Sequence, residues 1–120
     1  MLVVHSHPAE GEDREFNQWY EQVHLPEVLQ IEGFVSATRL RAVPSHTGQL
    51  PDQPYLTVYE IEAESIEVAL AALAATAPTL RMSPAIGGMA SYAYSVIEPA
   101  NAAAVDGEAA ETALVEGNMK

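Results

Sequence analysis

Acid–base chemistry is indicated by His24, which lies four residues after Tyr20 and three before Glu27. On a helix these spacings put the imidazole one turn from each neighbour, so the Glu27 carboxylate can orient the ring and hold one tautomer. Pro26 cannot donate a backbone hydrogen bond, and a helix break there opens space beside the ring. The pattern predicts a general base or acid that points into a pocket. The alternative is a structural histidine that bonds a free carbonyl at a helix end.

Arg39 and Arg41 are two of only 5 basic residues, and their spacing places them on the same face of a strand. A guanidinium on a sheet face can hold a carboxylate or stabilise an enolate or phenolate oxygen. The alternative is a salt bridge to one of the many acidic residues, such as Glu60 or Glu62. We favour the salt bridge for Arg41 and leave both interpretations open for Arg39.

His5 and His7 alternate along a predicted strand and share a face, a spacing that can chelate a transition metal. With His24 they would supply three nitrogens. The segment around Pro8 is also typical of a strand end, where a histidine caps the strand or faces solvent. No metal is therefore included in the predicted site.

Several aromatic side chains are candidate ligand contacts, since small-molecule sites are mostly apolar with a few polar groups. An ordinary core role is the alternative for each of them. They are Trp19, Tyr20, Tyr59, Tyr92 and Tyr94. The chain has no cysteine, phosphate-binding loop, dinucleotide fingerprint or nucleophile elbow. Proton transfer without an organic cofactor is the chemistry that these side chains allow.

The elements that position these residues follow the order β-α-β-β-α-β. Strands are predicted over residues 2–5, 34–41, 55–62 and 89–98, and helices over residues 12–24 and 66–77. Pro26 predicts a break or kink after the first helix and can open a short second turn over residues 27–31. Ser65 is the predicted N-cap of the second helix. This order is typical of an α+β, ferredoxin-like fold, with a four-stranded antiparallel sheet and both helices on one face.

The predicted strands are apolar on both faces, although two helices can cover only one. Tyr55, Thr57 and Tyr59 fill one side of the third strand, and Leu56 and Val58 fill the other. A second cover is therefore needed, and another copy of the same sheet supplies it. We predict a homodimer that packs sheet to sheet.

Composition indicates one globular domain, with 120 residues of which 48% are hydrophobic. A net charge of −12 repels phosphate backbones and anionic lipids, so neither nucleic acid nor membrane is a predicted partner. The N-terminal residues lack a signal-peptide pattern and no apolar run is long enough to span a membrane, which favours a cytoplasmic location. Residues 1–100 are the predicted domain. Residues 101–120 form an acidic, Ala- and Glu-rich tail that is either disordered or docked as a helix on the partner.

Two stretches in the first third of the chain resemble the signature of EthD-like proteins in the dimeric α+β-barrel superfamily. Residues 16–27 read aromatic-Asn-x-Trp-Tyr and then His-x-Pro-Glu, and residues 33–39 read Gly-Phe-x-Ser-Ala-x-Arg. The remainder matches by element order only. The segment around His5 and His7 departs from the family pattern, where a smaller polar segment is expected, and leaves a polar entry or a metal contact open.

The resemblance implies a ferredoxin-like subunit whose sheet pairs with that of a second chain to form a barrel. It also implies a cavity between the sheet and its helices, with His24 inside the cavity and Arg39 closing the motif. Relatives of this fold include cofactor-independent monooxygenases, polyketide cyclases, lactone isomerases, lyases and haem-handling enzymes.

Two functions are compatible with these residues. The first is a small cofactor-independent enzyme that acts on an aromatic or polyketide-like molecule, in which His24 moves a proton and Arg39 stabilises the oxyanion. An unshifted histidine titrates at roughly pH 6.5, so this function predicts pH dependence near neutrality. The second is a non-catalytic dimer that binds an apolar small ligand, or haem through His24.

Overall fold

The computed structural model describes residues 1–102, and the predicted tail from residue 103 onward lies outside them. The elements are β1 Leu2–Pro8, α1 Asp13–Trp19, a π-helical turn Tyr20–His24, α2 Leu25–Val28, β2 Phe34–Arg41, β3 Tyr55–Ile61, α3 Ile66–Thr76, a 3₁₀ turn Ala77–Thr79 and β4 Ile86–Ala93. The four strands form one sheet in the order β2-β3-β1-β4, and every neighbouring pair is antiparallel. The architecture is α+β, as predicted, and is compatible with a ferredoxin-like fold.

The first helical stretch is not broken at Pro26, where the sequence predicted either a break or a kink. Instead it widens into the π-helical turn, where the Leu25 N–H bonds the Tyr20 carbonyl five residues earlier. Pro26 then occupies the first turn of α2, where its missing N–H is tolerated because the first helical N–H groups have no partner within their own helix. The helix therefore runs past the proline. A π-helical turn of this kind is frequently found at functional sites.

The second predicted helix is confirmed with its cap. The Ser65 side chain accepts a hydrogen bond of 3.3 Å from the Val68 N–H, as expected of a serine N-cap. The helix ends at Thr76, two residues before Pro78. Its buried side is centred on Ala69, which packs against the sheet.

The last strand begins earlier and ends earlier than predicted, at Ile86 and Ala93 rather than at residues 89 and 98. Its only ladder is with β1, and Ala93 is paired with Leu2, the first residue of β1. Beyond that point only Met1 is left on the β1 side, so the ladder stops. Tyr94 still exchanges backbone hydrogen bonds of 2.8 and 2.9 Å with Met1.

The main core lies between the helices and one face of the sheet. In β1 the even-numbered residues face this layer, and Leu2, Val4 and Ser6 are all buried. They pack with residues of β2, β3, α2 and α3 and of the turn after α2, namely Tyr59, Phe34, Val28, Ile31 and Ala69. A second cluster joins the first helical stretch to the start of β4 through Phe16, Trp19, Tyr20 and Ala85.

The outer face of the sheet carries the residues that alternate along each strand with those facing the helices. Leu40 and Tyr92 are exposed on it, at 46% and 55% of their surface. Val58 and Leu56 stand between them on β3, half-buried. None of the helices in the described chain is both long and apolar enough to cross a membrane.

Candidate functional site

His24 is buried at the end of the π-helical turn and is surrounded by aromatic rings. It stacks on Trp19 with ring centroids 4.4 Å apart and an interplanar angle of 21°, and meets the edge of Tyr20 at 5.2 Å. Burial lowers the pKa of His24 to about 4, although the nearby Glu27 carboxylate acts in the opposite direction. The imidazole is therefore neutral at physiological pH.

This pKa changes the pH behaviour expected from the sequence. A base with a pKa of about 4 is already deprotonated at pH 5. Reactions that use His24 as a proton acceptor should therefore show a flat profile between pH 5 and 8 as far as this residue is concerned. The predicted dependence near neutrality assumed an unshifted histidine and does not apply to a buried one.

A cavity of about 290 Å³ lies beside His24, between the sheet and α3. Its polar lining groups are His24, Tyr59 and Ser91, and the rest of the wall is apolar. The apolar residues are Leu2, Val4, Val28, Leu73, Ala77, Leu80, Met82 and Met89. Among residues 1–102, neither a carboxylate nor a cationic side chain lines the cavity. A small, largely apolar molecule with one or two polar atoms fits such a space.

Arg39 lies on the helix-facing side of β2, with its guanidinium held among aromatic rings. Its central carbon is 4.3 Å from the Tyr20 ring centroid, 5.5 Å from that of Tyr55 and 5.7 Å from that of Phe16. Such contacts use the face of the guanidinium. The Nε and Nη2 atoms are buried and have no hydrogen-bond acceptor within residues 1–102.

Arg39 does not itself line the cavity. Tyr20 and Tyr59 lie between the guanidinium and the cavity. Its partner across the β2–β3 ladder is Thr57, and Tyr59 is paired with Ala37, so Arg39 and Tyr59 are diagonal neighbours on one face. Tyr20 contacts both the guanidinium and His24. The predicted pair of His24 and Arg39 is thus linked through phenol groups and not by direct contact.

The phenols of Tyr20 and Tyr59 are buried without a hydrogen-bond partner among the described residues, and so are Ser6 Oγ and His24 Nδ1. Burial and the neighbouring Tyr20 hold the pKa of Tyr59 above its usual range, while the Arg39 charge opposes this shift. Tyr59 is therefore a protonated hydrogen-bond donor at neutral pH. An unpaired buried polar group costs about 1–3 kcal/mol, so several in one region are typical of a place prepared for a ligand or water.

Neither predicted salt bridge of the strand arginines is present. Arg39 and Arg41 are paired with Thr57 and Tyr55, so both arginines point to the same face of the sheet as the odd-numbered residues of β3. Glu60 is even-numbered and points to the opposite face. The salt bridge recorded within residues 1–102 is instead Arg81 with Glu27, at 3.1 Å. Among the described residues, Arg41 therefore forms no salt bridge with Glu60 or Glu62.

The histidines of β1 are separated from His24 by the sheet itself. His5 stacks edge-on with Tyr92 on the outer face, and His7 Nδ1 lies 3.0 Å from Gln53 Oε1. The rest of the His7 ring fills the space left by Gly87 and Gly88, where a Cβ would lie within 2.6 Å of it. Across the described residues no three potential ligand side chains come together as a metal site.

The structure brings Trp19, Tyr20 and Tyr59 together around His24, and places Arg39, Tyr92 and Tyr94 outside the cavity lining. Trp19 supports the imidazole by stacking, Tyr20 lies between it and Arg39, and Tyr59 lines the cavity. Tyr92 lies on the outer face, because odd and even residues of β4 point to opposite sides. A ligand bound beside His24 therefore does not touch Tyr92.

A wall of the cavity that the sequence analysis missed is formed by the segment before β4. Arg81 is held there by Glu27, whose two carboxylate oxygens accept from the Arg81 backbone N–H at 3.0 Å and from Nε at 3.1 Å. The Trp19 indole N–H donates to the Arg81 carbonyl at 2.7 Å. Leu80 and Met82 line the cavity on either side of this anchor. Only the apolar composition of Leu80 and Met82 could have suggested their role.

Comparison with protein-family models, with curated proteins and with solved structures finds no match for this chain. Function is therefore inferred from the geometry of the site.

Proposed function

We propose that this chain is a small cofactor-independent enzyme that transfers a proton in an aromatic or polyketide-like molecule. The observation that carries the proposal is a buried, neutral imidazole on the wall of an otherwise apolar cavity. His24 is the proton acceptor, and Tyr59 is the hydrogen-bond donor to the oxygen on which charge develops. Arg39 is a positioning residue that supplies positive charge behind Tyr59.

The lowered pKa of His24 restricts the reaction. A base with a pKa of about 4 removes only protons that the substrate already makes acidic. Such protons lie next to a carbonyl or on an activated phenol, and the donor opposite lowers the barrier by stabilising the resulting enolate or phenolate. Isomerisation, lyase chemistry, cyclisation and oxygenation of an activated phenol all begin in this way.

A non-catalytic binding protein for an apolar small ligand is the second candidate. The wall of the cavity favours it, since the polar groups at its surface are only three. A cavity of about 290 Å³ lies at the lower end of the range typical of small-molecule sites, which favours one- or two-ring ligands over haem.

A thermal-shift screen with turnover assays separates the two candidates. Phenols, quinones, lactones and aromatic acids are tested on the wild type and on His24→Phe, which keeps a flat ring against Trp19. His46→Ala, in an exposed loop, is the matched control. The enzyme proposal expects turnover of a stabilising compound that is lost in His24→Phe only. Equal stabilisation of all three proteins without turnover would favour the binding protein.

The EthD-like assignment is also a proposal. What supports it is that the motif residues Trp19, His24 and Arg39 converge around one aromatic cluster.

We also propose that two copies pair through the outer faces of their sheets. The exposed side chains of Leu40 and Tyr92 support this, because burying them in a second sheet removes apolar area from water. Sedimentation equilibrium of the wild type and of Tyr92→Asp tests the proposal, with Val43→Asp as an exposed control outside the strands. We expect a dimer that Tyr92→Asp alone dissociates. A monomeric wild type would contradict it.

A further inference from the structure

The interior beside the cavity carries a positive charge that no anion within the described residues matches. Arg39 is the cation, and its in-plane Nε and Nη2 donors are buried without an acceptor anywhere in the described chain. The rings of Phe16, Tyr20 and Tyr55 contact the guanidinium of Arg39 but do not accept hydrogen bonds from these N–H groups. Arg39 as a whole is half-buried, but burying these two N–H donors without an acceptor is costly unless an anion approaches.

The nearest carboxylate to His24 cannot serve as that anion. Both oxygens of Glu27 are bonded to Arg81, outside the aromatic cluster. The cavity wall itself contains neither aspartate nor glutamate. Although the whole chain has a net charge of −12, the Arg39 charge behind the cavity wall has no carboxylate partner among residues 1–102.

The polar groups nearest the cavity are suited to an oxygen anion. Tyr59 is a cavity-lining residue whose buried hydroxyl has no partner among residues 1–102, and Arg39 is its diagonal neighbour on the sheet. Tyr20 adds a second unpaired hydroxyl beside the guanidinium, within the described residues. A hydrogen bond from a phenol to an ionised oxygen is roughly twice as strong as one to a neutral oxygen.

We propose that the ligand of this cavity is a one- or two-ring acidic phenol or enol that binds as its oxyanion, through the Tyr59 hydroxyl backed by Arg39. The proposal rests on the proposed function and names its substrate class. The O–H bond of the ligand breaks on binding, the electron pair stays on the oxygen, and the proton is released to solvent. His24 remains neutral, because the released proton goes to solvent.

The proposal is tested with 4-nitrophenol, whose anion is yellow and whose neutral form is colourless. Absorbance reports the protonation state of the bound probe, and quenching of Trp19, the only tryptophan, reports its binding. The neutral analogue 4-nitroanisole has the same ring but no acidic proton. We expect the pKa of the bound nitrophenol to fall by at least one, a tenfold preference for the anion worth about 1.4 kcal/mol. We expect nitroanisole to bind at least tenfold more weakly.

Three variants locate the effect. Tyr59→Phe removes one hydroxyl and Arg39→Gln removes the charge, and in each the shift in the pKa of the probe should be largely lost. Arg39→Lys keeps the charge and should retain part of it. Far-ultraviolet circular dichroism confirms folding, and should Arg39→Gln fail to fold, Tyr59→Phe alone decides the result.

Two outcomes overturn the proposal in different ways. Equal affinity for nitrophenol and nitroanisole, with an unshifted probe pKa, would refute the anion and leave the proposed enzyme standing. Binding of neither compound would contradict both, because a cavity that excludes single-ring ligands cannot serve the proposed reaction.

Discussion

The burial of His24 makes the stability of this protein depend on pH in a defined window. The unfolded chain takes up a proton on this histidine at roughly pH 6.5, whereas the folded protein does so only at about pH 4. Above roughly pH 6.5, His24 is neutral in both the folded and the unfolded protein, and its full contribution to stability is present. As the pH falls between the two values, protons bind the unfolded state preferentially and stability is lost.

The size of the effect follows from these two pKa values. Proton linkage through His24 removes about 2 kcal/mol of unfolding free energy between pH 7 and pH 5. This is a large fraction of the 5–15 kcal/mol typical of a domain. The carboxyl of Glu27, whose pKa the Arg81 backbone N–H lowers, contributes in a window below that of the histidine.

Urea unfolding at pH 7, 6 and 5, followed by Trp19 fluorescence, measures the effect. His24→Phe is the reference, since it keeps a ring against Trp19 and has no proton to exchange. We expect the wild type to lose about 2 kcal/mol more than the variant between pH 7 and pH 5. Parallel pH dependence of the two proteins would refute the reasoning, because it would mean that His24 is as accessible to protons when folded as when unfolded.

Three further predictions test separate parts of the structure. Glu27→Gln should lower the pKa of His24 further, because the carboxylate no longer favours the imidazolium, and an NMR titration of the ring measures this. Ser65→Ala should cost about 1 kcal/mol in urea unfolding by removing the cap of α3, while Ser65→Asp should retain most of the stability. Gly87→Ala should cost about 1–3 kcal/mol, because the new Cβ would lie 2.6 Å from the His7 ring, and an unchanged melting temperature would contradict this.

Sequence patterns predicted the parts of the fold that depend on neighbouring residues. The strand Phe34–Arg41 has its predicted bounds, and the Ser65 cap is confirmed. Both depend on local properties: strand propensity over a run without glycine or proline, and a side chain that bonds an N–H three residues away. The end of β4 was mispredicted because it is set by where the partner strand begins, which lies more than ninety positions away in the chain.

For the site, the sequence by itself determined which chemical groups are present and that His24 follows the aromatic face of a helix. Only the tertiary structure decided that this histidine is neutral, since its pKa depends on burial by distant elements. Only the structure showed that Tyr92 is on the far face of the sheet and that Arg39 has no carboxylate partner among the described residues. Arg81 contacts Glu27, which lies 54 positions earlier in the chain, and Trp19, which lies 62 positions earlier. No local sequence pattern encodes contacts at such separations.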